Sequence, residues 1–287
     1  MLKVDEFESA FRSSIKDTYQ HQDIRIESVL LVTDLDAEAT AKLLNQVKGF
    51  SQKLKQPQNI AWNTAKHNDF KSAEDLLEII NHSAMDLIVT YRNLHSETWR
   101  YPYSLGEHLD VMLQKTKIPV LVIPHPKAGY GRDNALNNNC HSVGVVTDHM
   151  VNDHVLVQYG LALIDEPGRF YLSHIEDQVN FDRVMDAINK IPTIETDDAR
   201  HKLSQQLLKE PAEYIQSVKF ELDKLNRSVE VIPTVSFGNQ MKDYLKHIDE
   251  KQVDLLVINT KDGDQLAMHG LAYPLAVEVR QIPLLML

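Results

Sequence analysis

The chain has 287 residues, of which 43% are hydrophobic and 25% charged, and its formal net charge is -11. That length suits two cores rather than one, and the acidic balance argues against nucleic-acid binding, which calls for basic patches that displace counterions from phosphates. No apolar run reaches the roughly 20 residues of a membrane-spanning helix, the amphipathic N-terminus reads as neither a secretory signal nor a transit peptide, and a single cysteine, Cys140, allows no internal disulfide, so a cytoplasmic protein is the expectation.

In chain order, an N-terminal helix precedes a strand over 28–33, where SVLLVTDL is a β-branched apolar run ending in Thr-Asp. Such runs, followed by helical periodicity, read as buried parallel strands feeding helices. Helix 37–54, strand 59–64, helix 70–83 and strand 86–90 follow, the last within DLIVTYRNLH; helix 104–116 and strand 119–123, within IPVLVI, close the first half. Residues 126–141, rich in Asn, Gly and charge, read as a linker. The same marks then return in the same order as SVGVVTDH at Ser142, DLLVINTKDG at Asp254 and IPLLML at Ile282. Ordered recurrence of this kind points to internal duplication.

The second half reads as strand 142–147, helix 151–165, strand 169–175, helices within 179–226, strand 229–234, helix 237–250, strand 253–258, helix 268–280 and strand 283–287. Its additional residues fall largely between Arg169 and Asn226. There Pro211 suits a first helical position, and Ile215, Val218, Leu222 and Leu225 share one helical face. The first copy is therefore expected to be shortened by one strand and one helix. Strands alternating with helices imply right-handed crossovers. The expected fold is α/β, with two Rossmann-like doubly wound parallel-sheet domains at 1–125 and 142–287.

A strand ending in Val-Thr-Asp, a late Asp-Leu-Ile-Val strand and a closing Ile-Pro-Val-Leu-Val-Ile strand together resemble the universal stress protein family, here in tandem. The resemblance spans about 28–124 and nearly all of 142–287. It implies a stress-response regulatory or binding protein, with a loop Gly-x-x-Gly-x9-Gly-Ser/Thr that cradles ATP phosphates in nucleotide-binding members. Glycines let backbone N–H groups approach phosphates, and the following helix N-terminus favours negative charge. In the first half Tyr91 and Leu94 take the first two glycine positions, Gly106 matches the last, and Glu107 replaces the hydroxyl. In the second half Asn259 and Asp262 replace the first two, Gly270 matches the last, Leu271 replaces the hydroxyl and the loop is shorter. Gly263 could rescue one turn in a shifted register, but Asp262 and Asp264 put negative charge where phosphates would lie. The expectation is no cofactor and no family-type ATP binding; the alternative is an adenine-nucleotide protein with weak ATPase activity in the second half.

Asp34 and Asp148 match the family position that approaches adenosine, at the carboxyl edge where open α/β sheets bind ligands. A plainer reading makes each a helix cap or turn residue. Arg92, Arg100 and Lys261 could meet an anion or simply be solvated. DHMVNDH, at 148–154, puts His149 and Asp153 on one helical face but supplies no third metal ligand; a metal-binding module is a third, weaker alternative. Trp99, Tyr101 and Tyr103 read as packing over a domain face rather than as a base-stacking platform. Cys140 and His141 offer little for redox chemistry. Neither a nucleophile elbow nor a P-loop occurs. In the resembled family the last strand of each domain pairs antiparallel with its counterpart in a dimer. The resemblance thus implies an intramolecular pseudo-dimer here, an unidentified protein partner, and a homodimer as a further option.

Overall fold

The computed structural model describes residues 18–51, 54, 59–101, 103–129, 131, 135–136, 140–147, 153–260 and 270–287. The N-terminal helix expected before residue 18 lies outside them, as do Asp148, His149, Lys261, Asp262, Gly263 and Asp264. In the first half β1 (Ser28–Val32), α1 (Ala37–Phe50), β2 (Ala61–Ala65), α2 (Ala73–His82), β3 (Leu87–Tyr91), α3 (Glu107–Lys115) and β4 (Val120–Ile123) alternate. The second half has β5 (Ser142–Val146), α4 (His154–Leu163), β6 (Gly168–Asp177), α5 (Gln178–Ile188), α6 (Thr196–Lys224), β7 (Val229–Gly238), α7 (Gln240–Glu250), β8 (Leu255–Ile258), α8 (Ala272–Glu278) and β9 (Leu284–Met286). No helix among the described residues is long and apolar enough to cross a membrane.

All nine strands join one sheet in the order β2-β1-β3-β4-β9-β8-β5-β6-β7. Every neighbouring pair is parallel except the central one, where Val120, Leu121 and Val122 of β4 face Met286, Leu285 and Leu284 of β9 antiparallel. These are the two closing strands that the sequence matched to each other. β3, β4, β5, β8 and β9 are buried at every position, which is why they read as continuous apolar runs with no alternation.

The two halves share a local device as well as an order. Asp86 Oδ2 accepts the Ser28 N–H at 2.9 Å, while the Asp86 N–H donates to the Ser28 carbonyl at 3.1 Å. Asp254 Oδ2 accepts the Ser142 N–H at 2.9 Å, and its own N–H donates to the Ser142 carbonyl at 2.7 Å. The carboxylate thus satisfies the first donor of one strand while the chain enters its neighbour. The residues that carried the sequence repeat are the ones that form this clasp.

Four of the eight α-helices described, α1, α2, α5 and α7, begin where a short polar side chain accepts their free N–H groups. Asp36 accepts from Ala39 N, Asn239 from Lys242 N, and Ser72 with Asp75 forms a reciprocal capping box. α4 sits so close to the sheet that a Cβ on Gly160 would meet the Phe170 ring at 2.7 Å.

Several expectations change. The unit absent from the first half is a strand with two helices, β7 with α5 and α6, rather than one strand and one helix. Pro211 does not start a helix: it lies inside α6, 29 residues long, buried in a row with Tyr214, Ile215, Val218 and Leu222. A mid-helix proline forfeits one backbone bond, and here its ring joins the apolar stripe against the sheet. Leu225 falls at the helix end and is 46% exposed. Arg92, read as an anion contact or a solvated side chain, is 1% exposed. It reaches from the end of β3 to the second half, where Nε and one terminal nitrogen donate to the Ala276 carbonyl at 3.0 and 2.7 Å and that nitrogen also donates to the Val279 carbonyl. A cation at the C-terminal end of α8 meets the negative end of the helix dipole.

Candidate functional site

The carboxyl edge of the first half is where the sequence placed Asp34 and Gly106. β1 ends at Val32 and presents Thr33 and Asp34; β3 ends at Tyr91 and enters the loop 92–106. Asp34 does not cap α1, a role taken by Asp36. Its Oδ1 accepts the Tyr91 hydroxyl and its Oδ2 accepts the His95 N–H at 2.8 Å. The Tyr91 oxygen in turn accepts the Asp34 N–H at 3.0 Å and lies 2.7 Å from the Thr33 hydroxyl.

The loop reaches this position through two left-handed residues, Asn93 at φ 58° and His95 at φ 57°, a conformation that Asn and His enter more readily than bulkier residues. The Asn93 N–H donates to the Leu105 carbonyl at 2.8 Å, closing the loop on itself. Gly106, at φ 89°, precedes α3, and a Cβ there would stand 2.7 Å from the Asn93 Cα. Its conformation and this close approach to the loop's own backbone account for the glycine.

Electrostatics follow burial. Burial works to raise the Asp34 carboxyl, but the hydrogen bonds from Tyr91 and His95, with the charges of Lys127 and His95, outweigh it and hold the group below the usual carboxylate range. Burial first, then the Asp34 hydrogen bond, pushes the Tyr91 phenol up. His125, 2% exposed, has its ring 4.8 Å from the Tyr91 ring and stacked on Trp99 at 4.8 Å. Burial lowers it to about 4, against the pull of Asp34. Three further imidazoles adjoin this edge: His95 lies 4.8 Å from His67 and 5.4 Å from His108, with Phe70 edge-on to both His95 and His108. Burial lowers His95 too, and its Nε2 has no partner among the described atoms. Among the described residues no three His, Cys, Asp or Glu side chains are placed to hold a metal ion.

The arrangement is a closed polar network: an ionised carboxylate satisfied by a phenol and a backbone N–H, beside a neutral imidazole. None of Tyr91, His95 or His125 was singled out as a functional residue from the sequence; Tyr91 appeared only as a missing glycine. Of the aromatic trio, Trp99 packs as expected, but Tyr101 and Tyr103 stack on each other at 6.2 Å and remain 59% and 79% exposed. Arg100 stays on the surface, paired with Glu97 at 2.8 Å.

In the second half the corresponding edge is described only in part. Asp153 accepts from the Thr147 hydroxyl, and the Thr260 N–H donates to the Leu287 carbonyl at 2.9 Å. Gly270, at φ 41°, stands just before α8. Cys140 is fully buried and its N–H donates to Asp165 Oδ2 at 2.7 Å.

No family model matches the sequence, and no curated protein matches it. Among solved structures, the fold is similar to that of a universal stress protein from Archaeoglobus fulgidus, with a TM-score of 0.56 and 13% identity over 92% of this chain and 98% of that one. A protein from Pseudomonas aeruginosa described under the same family name gives a TM-score of 0.50 and 11% identity over 91% and 93% of the two chains. At these identities the property held in common is the α/β fold, along nearly the whole of each chain.

Proposed function

We propose that this chain is a tandem protein of the universal stress protein type, acting in a stress response by binding a partner rather than by bond chemistry. The observation that carries the reading is the antiparallel contact of β4 with β9 between two otherwise parallel half-sheets, the arrangement that the resembled family builds from two chains. The repeated Ser-Asp clasp and matching strand orders support an origin by duplication, with 1–125 and 142–287 as the two units. Family-type ATP binding is absent in this reading. In the first half the loop spends its N–H donors on Leu105 and Asp34, leaving them unavailable to a phosphate.

Calorimetry on the full chain tests the nucleotide part: ATP should bind no tighter than about 1 mM, or about -4 kcal/mol. Micromolar affinity, or adenine nucleotide retained through purification, would replace this reading with the weak-ATPase alternative. Comparing the protein's abundance in starved, oxidatively stressed and unstressed cells tests the biological part, and a level unchanged by every stress would overturn it.

A further inference from the structure

Residues 18–27 cross from the second half to the start of β1. Tyr19 is buried, its N–H donating to Ser217 Oγ on α6 at 2.9 Å and its hydroxyl lying 3.0 Å from His21 Nδ1. Next to this strap is a cavity of about 320 Å³ between the two halves. It adjoins Asp165 and Glu166, just before β6 begins, so it lies at the amino-terminal edge of the second half's strands, away from the carboxyl edge. The volume has room for roughly ten waters and falls in the range of about 300–1,000 Å³ typical of small-molecule sites.

The charged groups of its wall are matched within the protein. Arg227 Nε donates to Glu166 Oε1 at 2.7 Å and a terminal nitrogen to the Leu161 carbonyl at 3.0 Å, while Glu166 Oε2 accepts the Ser228 N–H at 2.8 Å. Asp165 Oδ2 accepts the Cys140 N–H at 2.7 Å, and Asp23 Oδ1 lies 3.2 Å from His21 Nε2. Gln158 is the exception. It is 6% exposed and lines the cavity, and its side-chain amide bonds to none of the described residues, although buried polar groups are nearly always satisfied. An ion entering this space would give up hydration with no unmatched counter-charge among the described residues to meet it, whereas a neutral group can complete Gln158.

A glutamine carboxamide presents a donor and an acceptor side by side. The neutral group that answers both at once is a second amide whose N–H and carbonyl point the same way, as the ring forces them to do in a lactam. We propose that this cavity binds a small uncharged molecule with an apolar body and such a cis-amide edge. The ligand N–H would donate to Gln158 Oε1 and its carbonyl would accept from Gln158 Nε2, while its methylenes would lie against Ile24, Leu161 and Ile164, which line the same space.

The test is calorimetry of the full chain with 2-piperidone and, separately, with N-methyl-2-piperidone and with piperidine, which is a cation at pH 7. The lactam should bind at millimolar concentration, its N-methyl form about tenfold more weakly because Oε1 loses its donor, and piperidine not at all. Gln158→Leu should weaken lactam binding at least about tenfold, and Ala162→Met, which fills the cavity from α4, should abolish it while far-UV dichroism stays that of the parent. If Gln158→Leu fails to fold, the N-methyl comparison on the parent carries the same point. The proposal is overturned if the lactam does not bind at millimolar concentration, if N-methyl-2-piperidone or piperidine binds equally well, or if either variant, once shown to be folded, binds as the parent does.

Discussion

Arg92→Met is the sharpest perturbation of the contact between the halves. The methionine keeps much of the volume but removes a buried cation and its three hydrogen bonds to the Ala276 and Val279 carbonyls. Leaving those two acceptors without the guanidinium costs about 1–3 kcal/mol each, and relief of the arginine's own desolvation offsets part of it. The net expectation is a loss of about 3 kcal/mol. Near the melting point of a chain this size, 1 kcal/mol is a little under about 2 °C, so the variant should melt about 5 °C below the parent. Arg92→Lys retains the charge but not the planar fork and should lose about half as much. Arg100→Met, altering an exposed i,i+3 pair, should stay within about 0.5 kcal/mol. Urea unfolding followed by far-UV dichroism measures all three. If Arg92→Met falls within about 0.5 kcal/mol of the parent, or Arg92→Lys is equally damaging, the guanidinium does not join the halves as described.

Two further outcomes follow from the same geometry. Leu285→Pro takes an N–H from the strand that pairs β4 with β8 and should cost at least about 3 kcal/mol; a variant that melts and elutes like the parent would mean that β9 does not bridge the sheet. His125 is depressed to about 4 from an ordinary value near 6.5, so its contribution is whole above pH 6.5 and is lost as pH falls through 4, at most about 3 kcal/mol. Asp34, also held low, adds a loss of the same sign at lower pH. His125→Phe should therefore flatten the stability profile between pH 6.5 and 4, and an unchanged slope would contradict the assigned burial.

The strands were legible because burial on both faces demands uninterrupted apolar runs, and the repeated Ser and Asp positions gave their order. The pairing of β4 with β9 was legible through the family likeness of the closing strands. What the sequence hid is what depends on contacts across the chain. A lone arginine in a loop looks solvated until α8 is placed against it, and Tyr91 looks like any strand residue until its hydroxyl meets Asp34. Pro211 misled because N-terminal placement is the common solution for proline, whereas here the apolar stripe of α6 runs through it. The second-half positions Asp148 and Gly263 lie outside the described residues.

The reversal between β4 and β9 also fixes how the molecule can meet its surroundings. Strands β1 to β4 run one way and β5 to β9 the other, so the two carboxyl edges open toward opposite ends of the molecule. A flat surface or a small partner can touch one of them at a time. Engaging both calls for two separate partners or one that wraps around the sheet, and in the first case the chain would serve as a bridge whose span is set by the sheet itself.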